Sequence, residues 1–328
     1  MDETPLTRKK TSRWLLAGSL ILAAVLLYLA LRKVNWNELV ATLAAGDLGL
    51  LALAVVILSS SCLVRGLRWR VLLSAEKTLA VLTVFWATMT GYLGNAYLPA
   101  RAGEVIRSVL IGQKGGISKS FSLATALTER IMDAVVLVTL SALALTTLRT
   151  LPPDLVRALR GMAVIGVLGM AVIFIAPRMS NVVQTIIDGL PVAAGLRERL
   201  GKFAMNFLTG AGALRHWGRL AQFLLYSAAI WTLDTLTGLV TARAFGLDLN
   251  PAQVFILLAA LGIASAVPST PGAVGVYQLV AVAVLVPFGL SNSQAVAYIF
   301  GYQGVMYVVI TFWGLIGLWK LRGAIRFS

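Results

Sequence analysis

LNPAQVFILLAALGIASAVPSTPGAVGVYQLVAVAVLVPFGLSNSQAVAYIFGYQGVMYVVITFWGLIGLW, from Leu249 to Trp319, runs for 71 residues without an Asp, Glu, Lys or Arg. A helix crosses the bilayer core in about 20 apolar residues, so the stretch is too long for one or two crossings. VPSTPG, from Val267 to Gly272, sets two prolines and a glycine in its middle, where a helix must be interrupted. The run predicts about three helical pieces, two of which meet at a break inside the membrane.

The rest of the chain agrees with a membrane setting. Of its 328 residues 59% are hydrophobic and 12% charged, against about 25% charged in soluble domains, which argues against an ordinary cytosolic enzyme. Further uncharged runs cover Leu48–Val64, Thr78–Ala100, Ala134–Leu148, Gly161–Pro177 and Leu220–Leu233. Arg8, Lys9, Lys10 and Arg13 precede an uncharged run from Trp14 to Leu31, which reads as a retained first span rather than a cleaved signal. With 28 Lys and Arg against 13 Asp and Glu the net charge is +15, but basic residues gather on cytoplasmic loops of membrane proteins, so nucleic acid is not needed to explain it. One cysteine (Cys62) and one histidine (His216) exclude an internal disulfide framework and leave no basis for a metal site; no cofactor motif or Walker sequence is present.

The basic flanks set the orientation. Both termini are expected in the cytoplasm, as are Arg65, Arg68, Arg70 and Lys77, and a mixed amphipathic connector over 178–218 on anionic headgroups. This assignment leaves Arg101, Arg107 and Arg130 at membrane depth. The expected architecture is an all-α polytopic membrane protein forming a single transmembrane domain over 1–328. It has about six full transmembrane helices plus two broken or re-entrant helical pairs, or ten full crossings.

An internal repeat accompanies the breaks. NAYLPARAGEV (Asn95–Val105) and ASAVPSTPGAV (Ala264–Val274) share Pro99 with Pro268, Gly103 with Gly272 and Val105 with Val274, and ISKS (Ile117–Ser120) answers LSNS (Leu290–Ser293). The orientation has the first copy entering from the cytoplasm and the second from outside, so the halves, approximately 48–148 and 219–319, are expected to be an inverted repeat. That arrangement is a signature of transporters. Helices starting after Pro99 and at Ser269, Thr270 and Pro271 would present free N–H groups inside the bilayer, where an anion is their natural ligand.

Charges at membrane depth are costly, by about 2.5 kcal/mol or more each. Arg101, Glu104 and Arg107 lie three residues apart on one helix, and TERIMD places Glu129 and Asp133 on one face with Arg130 beside them. The arginines are candidate phosphate ligands, with Glu104 orienting them. A plain structural network, in which Glu129 and Asp133 neutralise Arg101 or Arg107 across helices, stays open, as does a switch between carboxylate and phosphate. Asp234 is a fourth embedded acid, able to carry a proton or pair with an arginine. Asn95, Gly272, Tyr277 and Gln278 flank the breaks and are further candidates for lining a site.

N-x-x-L-P-x-R-x-G-E-x-x-R (Asn95–Arg107), E-R-x-x-D (Glu129–Asp133) and V-P-x-T-P-G-x-x-G-V (Val267–Val276), in that order, resemble the transmembrane region of lysylphosphatidylglycerol synthases, a flippase-like family. The resemblance implies a multi-pass protein of a bacterial or archaeal inner membrane that moves aminoacylated phosphatidylglycerol or another lipid between leaflets. The family's synthases carry a soluble catalytic domain after this region, whereas here the sequence stops at Ser328, so no aminoacyl-lipid synthesis and no enzyme activity are expected. An acidic residue often follows the family's second glycine motif; here Gln278 stands in that place. The leading expectation is a flippase-like transporter for an anionic or aminoacylated phospholipid, with membrane lipid as partner and a homo-oligomer open. A solute or ion transporter of the same architecture is the alternative, and an intramembrane transferase on a lipid-linked donor a third.

Overall fold

The computed structural model describes residues 24–98, 102–146, 180–265 and 273–324, together with positions 21, 164, 168, 175 and 178. Most of the expected first span and of the span over 161–177, and Arg101, Ser269, Thr270 and Gly272 with the prolines at both breaks, lie outside the described residues.

All regular structure among the described residues is helical. After a helical stretch over 24–31, α1 (Trp36–Ala44) and α2 (Leu48–Leu73) start on Asn35 and Asp47, whose side chains accept the first free backbone N–H groups. Then follow α3 (Val81–Tyr97), α4 (Ala102–Gly115), α5 (Lys119–Thr146), α6 (Ser180–Asp188), α7 (Ala194–Gly212), α8 (Trp217–Ala244), α9 (Pro251–Ala264), α10 (Val276–Leu285) and α11 (Asn292–Leu321). With 26, 28 and 30 residues, α2, α8 and α11 are long and apolar enough to cross a membrane. At ~1.5 Å per residue, α9, with 14 residues, extends only about 21 Å, short of the roughly 30 Å hydrocarbon core. Leu53, Val56 and Leu63 on α2 and Val308, Phe312 and Leu315 on α11 remain exposed, as lipid-facing side chains do.

One boundary departs from the sequence reading. The uncharged run ends at Val64, yet α2 continues to Leu73 through Arg65, Arg68 and Arg70. Arg68 and Trp69 are buried in the bundle, where acids from distant helices neutralise the arginine's charge.

α2 packs along α8, and the two run antiparallel: Ser61 meets Asp234, while Arg68, further along α2, meets Ser227, earlier on α8. α3 lies between α11 and α4, and α5 between α4, α7 and α9, with α10 bridging α9 to α11. One core layer joins Trp69, Leu72, Leu73, Ile111, Phe121, Leu214 and Phe223; another joins Val254, Leu257, Leu285, Ile299 and Tyr298. The α4–α5 and α10–α11 junctions are alike. Gly116 (φ 64°) and Gly289 (φ 101°) take up left-handed backbone, and two residues later Ser118 and Ser291 accept from the N–H groups of Phe121 and Gln294 at 3.3 and 3.0 Å.

Candidate functional site

The close approach of α3 and α4 is the foundation of the site. A methyl group at Gly103 would overlap the Gly91 carbonyl oxygen and come within 2.7 Å of the Asn95 amide nitrogen. The lack of a side chain at Gly103 therefore lets α4 lie against α3, carrying Glu104 and Arg107 into the bundle opposite α2 and α5.

Four helices then build a buried ion network. Arg68 on α2 uses all five of its N–H groups: Nε and Nη2 donate to Glu129 Oε1 at 3.2 and 2.9 Å, Nη1 and Nη2 to the Asp133 carboxylate at 2.5 and 3.0 Å, and Nη1 to Ser227 Oγ at 3.1 Å. Arg107 on α4 pairs with Glu104 at 2.6 Å and Glu129 at 2.9 Å, its guanidinium 4.5 Å from the Trp69 ring centre. Trp69 is held in turn by Thr125, whose hydroxyl accepts from the indole at 3.1 Å. Arg130 on α5 reaches Glu104 at 3.3 Å and Asp133 at 3.8 Å, with 30% of its side chain still exposed. Beside this network, Arg65 pairs with Asp234, which also accepts from the Ser61 hydroxyl at 2.6 Å.

These eight charged side chains sum to zero, four arginines against four carboxylates, yet their hydrogen-bonding is uneven. Arg107 Nη1, Arg130 Nη2, Tyr92 Oη and Asn95 Oδ1 are buried without a hydrogen-bond partner. Tyr92 stands within electrostatic reach of Arg65, Arg107 and Arg130. A buried N–H without an acceptor costs about 1–3 kcal/mol, more when charged, so these surplus donors on two arginines and a tyrosine are candidate ligands for an anionic oxygen.

The sequence candidates divide accordingly. Glu104, Arg107, Glu129, Arg130 and Asp133 come together in one network, with Asn95 donating to Glu104 Oε1 at 3.4 Å. Glu104 bridges Arg107 and Arg130; its expected bridge to Arg101 lies outside the described residues. Asp234 belongs to the neighbouring pair with Arg65. Gln278 is fully buried at the second break: its Oε1 accepts from the Gly275 N–H at 2.7 Å and its Nε2 donates to Gln303 at 2.5 Å. Tyr277 lies near Tyr302 and Tyr307, on the α11 side. Sequence reading missed Arg65, Arg68 and Tyr92. Ser61, Arg65 and Arg68, at i, i+4 and i+7, lie on one helical face, and that spacing was the available signal. A cavity of about 650 Å³ opens away from the network, between Ala75, Ser180, Thr209, Arg215, His216 and Arg219.

Fold and site define a multi-pass membrane protein with a buried arginine–carboxylate network. The chain matches the model of the lysylphosphatidylglycerol synthase transmembrane region over residues 15–314 and belongs to that family. It is similar to a protein named glycosyltransferase AglD from Haloferax volcanii, with 26% identity over 306 residues that cover 82% of this chain and 48% of AglD. The chain thus spans about half the length of that relative. It is also similar to a UPF0104 membrane protein of Methanothermobacter thermautotrophicus, with 24% identity over 300 residues, 88% of this chain and 87% of the relative. No solved structure matches it significantly.

Proposed function

We propose that the chain is a flippase-like translocator for a lipid headgroup, in which Arg107, Arg130 and Tyr92 bind the phosphate near mid-membrane while the acyl chains stay in the bilayer. The observation that carries this reading is the set of buried, unpartnered donors on those three side chains. Charges at that depth are rare outside substrate and ion pathways.

An inverted repeat is part of the proposal, and several features support it. The offset of 169 between Pro99 and Pro268 also relates Leu48 to Trp217, where α2 and α8 begin, and the offset of 173 between ISKS and LSNS relates Lys119 to Asn292, where α5 and α11 begin. Packing follows the same exchange: α3 with α4 answers α9 with α10, and α3 with α11 answers α9 with α5. In this reading both termini and the 178–218 connector face the cytoplasm, in a bacterial or archaeal inner membrane, and the cavity lined by Arg215, His216 and Arg219 faces arriving headgroups.

The name of AglD favours a second reading, an intramembrane glycosyl transfer. It needs a carboxylate base, whereas Glu104, Glu129, Asp133 and Asp234 are each engaged by an arginine. The test is reconstitution in proteoliposomes with labelled phosphatidylglycerol in one leaflet. Protein-dependent movement, lowered at least about tenfold by Arg130→Gln, supports translocation. Equal movement with and without protein, or sugar transfer from a lipid-linked donor by the isolated chain, would overturn it.

A further inference from the structure

We infer that the site takes an anionic phosphodiester headgroup free of amines and selects against headgroups that carry an ammonium group. This deepens the translocator reading and rests on it. The surplus in the network is mainly on the donor side: Arg107 Nη1, Arg130 Nη2 and the Tyr92 hydroxyl await an acceptor, against two acceptor oxygens without a hydrogen bond, the neutral Asn95 Oδ1 and Glu129 Oε2, and the latter is ion-paired with Arg107 at 2.9 Å. On the acceptor side, every acid at membrane depth is engaged. Glu104 holds Arg107 and Arg130, Glu129 holds Arg68 and Arg107, Asp133 holds Arg68, and Asp234 holds Arg65 and the Ser61 hydroxyl.

The second break offers no replacement. From Leu249 to Ser328 the chain contains no Asp or Glu, so no carboxylate borders Tyr277 and Gln278 from their own segment. The polar groups fixed there are neutral amides, with Gln278 committed to the Gly275 N–H and to Gln303. An ammonium group entering this interior loses its water and needs a carboxylate to compensate. It gains one only by displacing an arginine, which leaves a guanidinium buried without its counter-ion. Selectivity therefore arises from a penalty against the amine as much as from attraction to the phosphate.

Purified full-length chain is offered an equimolar mixture of phosphatidylglycerol, phosphatidylethanolamine and lysylphosphatidylglycerol. Native mass spectrometry reads the lipid retained, and the same three lipids are followed across proteoliposome leaflets. The expected result is at least about a tenfold preference for phosphatidylglycerol in retention and movement, narrowed about tenfold by Gln278→Glu, which adds a carboxylate at the second break. Gln303→Glu, one hydrogen bond away, serves the same purpose where Gln278→Glu does not fold. Wild-type protein that retains either amino lipid as well as phosphatidylglycerol would overturn the inference, as would folded Gln278→Glu and Gln303→Glu variants that both keep the full preference. Selective retention without movement sinks the translocator reading but keeps this one. Glycerol phosphate in large excess is expected to displace none of the retained lipid; displacement would assign the site to a soluble phosphate ester and overturn the lipid assignment.

Discussion

Arg68 and Arg130 carry the same side chain in one network, and the number of engaged N–H groups separates their roles. Arg68 has all five N–H groups engaged and ties α2 to α5 and α8. Removing one partner of such a buried pair costs about 3–5 kcal/mol, because Glu129 and Asp133 keep their charge and lose their common counter-ion. Arg68→Ala is therefore expected to yield little folded protein and a strongly lowered melting midpoint in detergent. Arg68→Lys should recover little of it, since one ammonium cannot span two carboxylates in the planar geometry of a guanidinium. Arg130 is held loosely, at 3.3 and 3.8 Å, and is partly exposed. Arg130→Gln should melt close to the wild type while losing phosphatidylglycerol retention about tenfold or more. A variant with normal retention would remove Arg130 from the anion site.

At the scale of elements, the glycines that turn α4 into α5 and α10 into α11 make a paired prediction. Gly116 and Gly289 have φ of 64° and 101°, and a side chain in left-handed backbone costs about 1–2 kcal/mol. Gly116→Ala and Gly289→Ala should lower stability by similar amounts, read as matched shifts in melting midpoint; a large effect at one turn only would argue against their equivalence. These junctions were legible in the sequence through the ISKS and LSNS match, because turn chemistry is local. The reach of α2 was not. An uncharged-run criterion stops at Val64, and the acids that admit Arg65 and Arg68 to the interior stand on α5 and α8, from 61 to 169 residues away. A local window shows that an arginine needs a partner but not which distant helix supplies it. Gly103 was legible as a motif glycine, while its role in letting α4 approach Gly91 and Asn95 required both helices in place.

At the scale of the whole molecule, Arg65 and Asp234 are separated by 169 residues, the same offset that relates the proline and glycine motifs. In an inverted repeat, two equivalent positions that touch each other lie on the two-fold axis. Under the inverted repeat proposed above, the pair joins the halves where rocking would displace them least, between antiparallel α2 and α8. An axial position has nearly the same surroundings from either half, so exchanging the charges should be tolerated there. Arg65→Asp and Asp234→Arg alone each leave two like charges facing one another and should abolish folding or lipid movement. The double exchange should restore most of both, with a coupling energy of several kcal/mol in a double-mutant cycle. Off the axis the same exchange should fail. Arg68→Glu with Glu129→Arg would set the new glutamate against Asp133 and Ser227, whose equivalents in the other half are not acidic and basic mirror images, so it should recover little. Recovery at both sites, or at neither, measured as folded yield and phosphatidylglycerol movement in proteoliposomes, would break the link between this ion pair and a symmetry axis. Recovery at Arg65 and Asp234 alone would mark that pair as the pivot about which the two halves exchange access to the headgroup site.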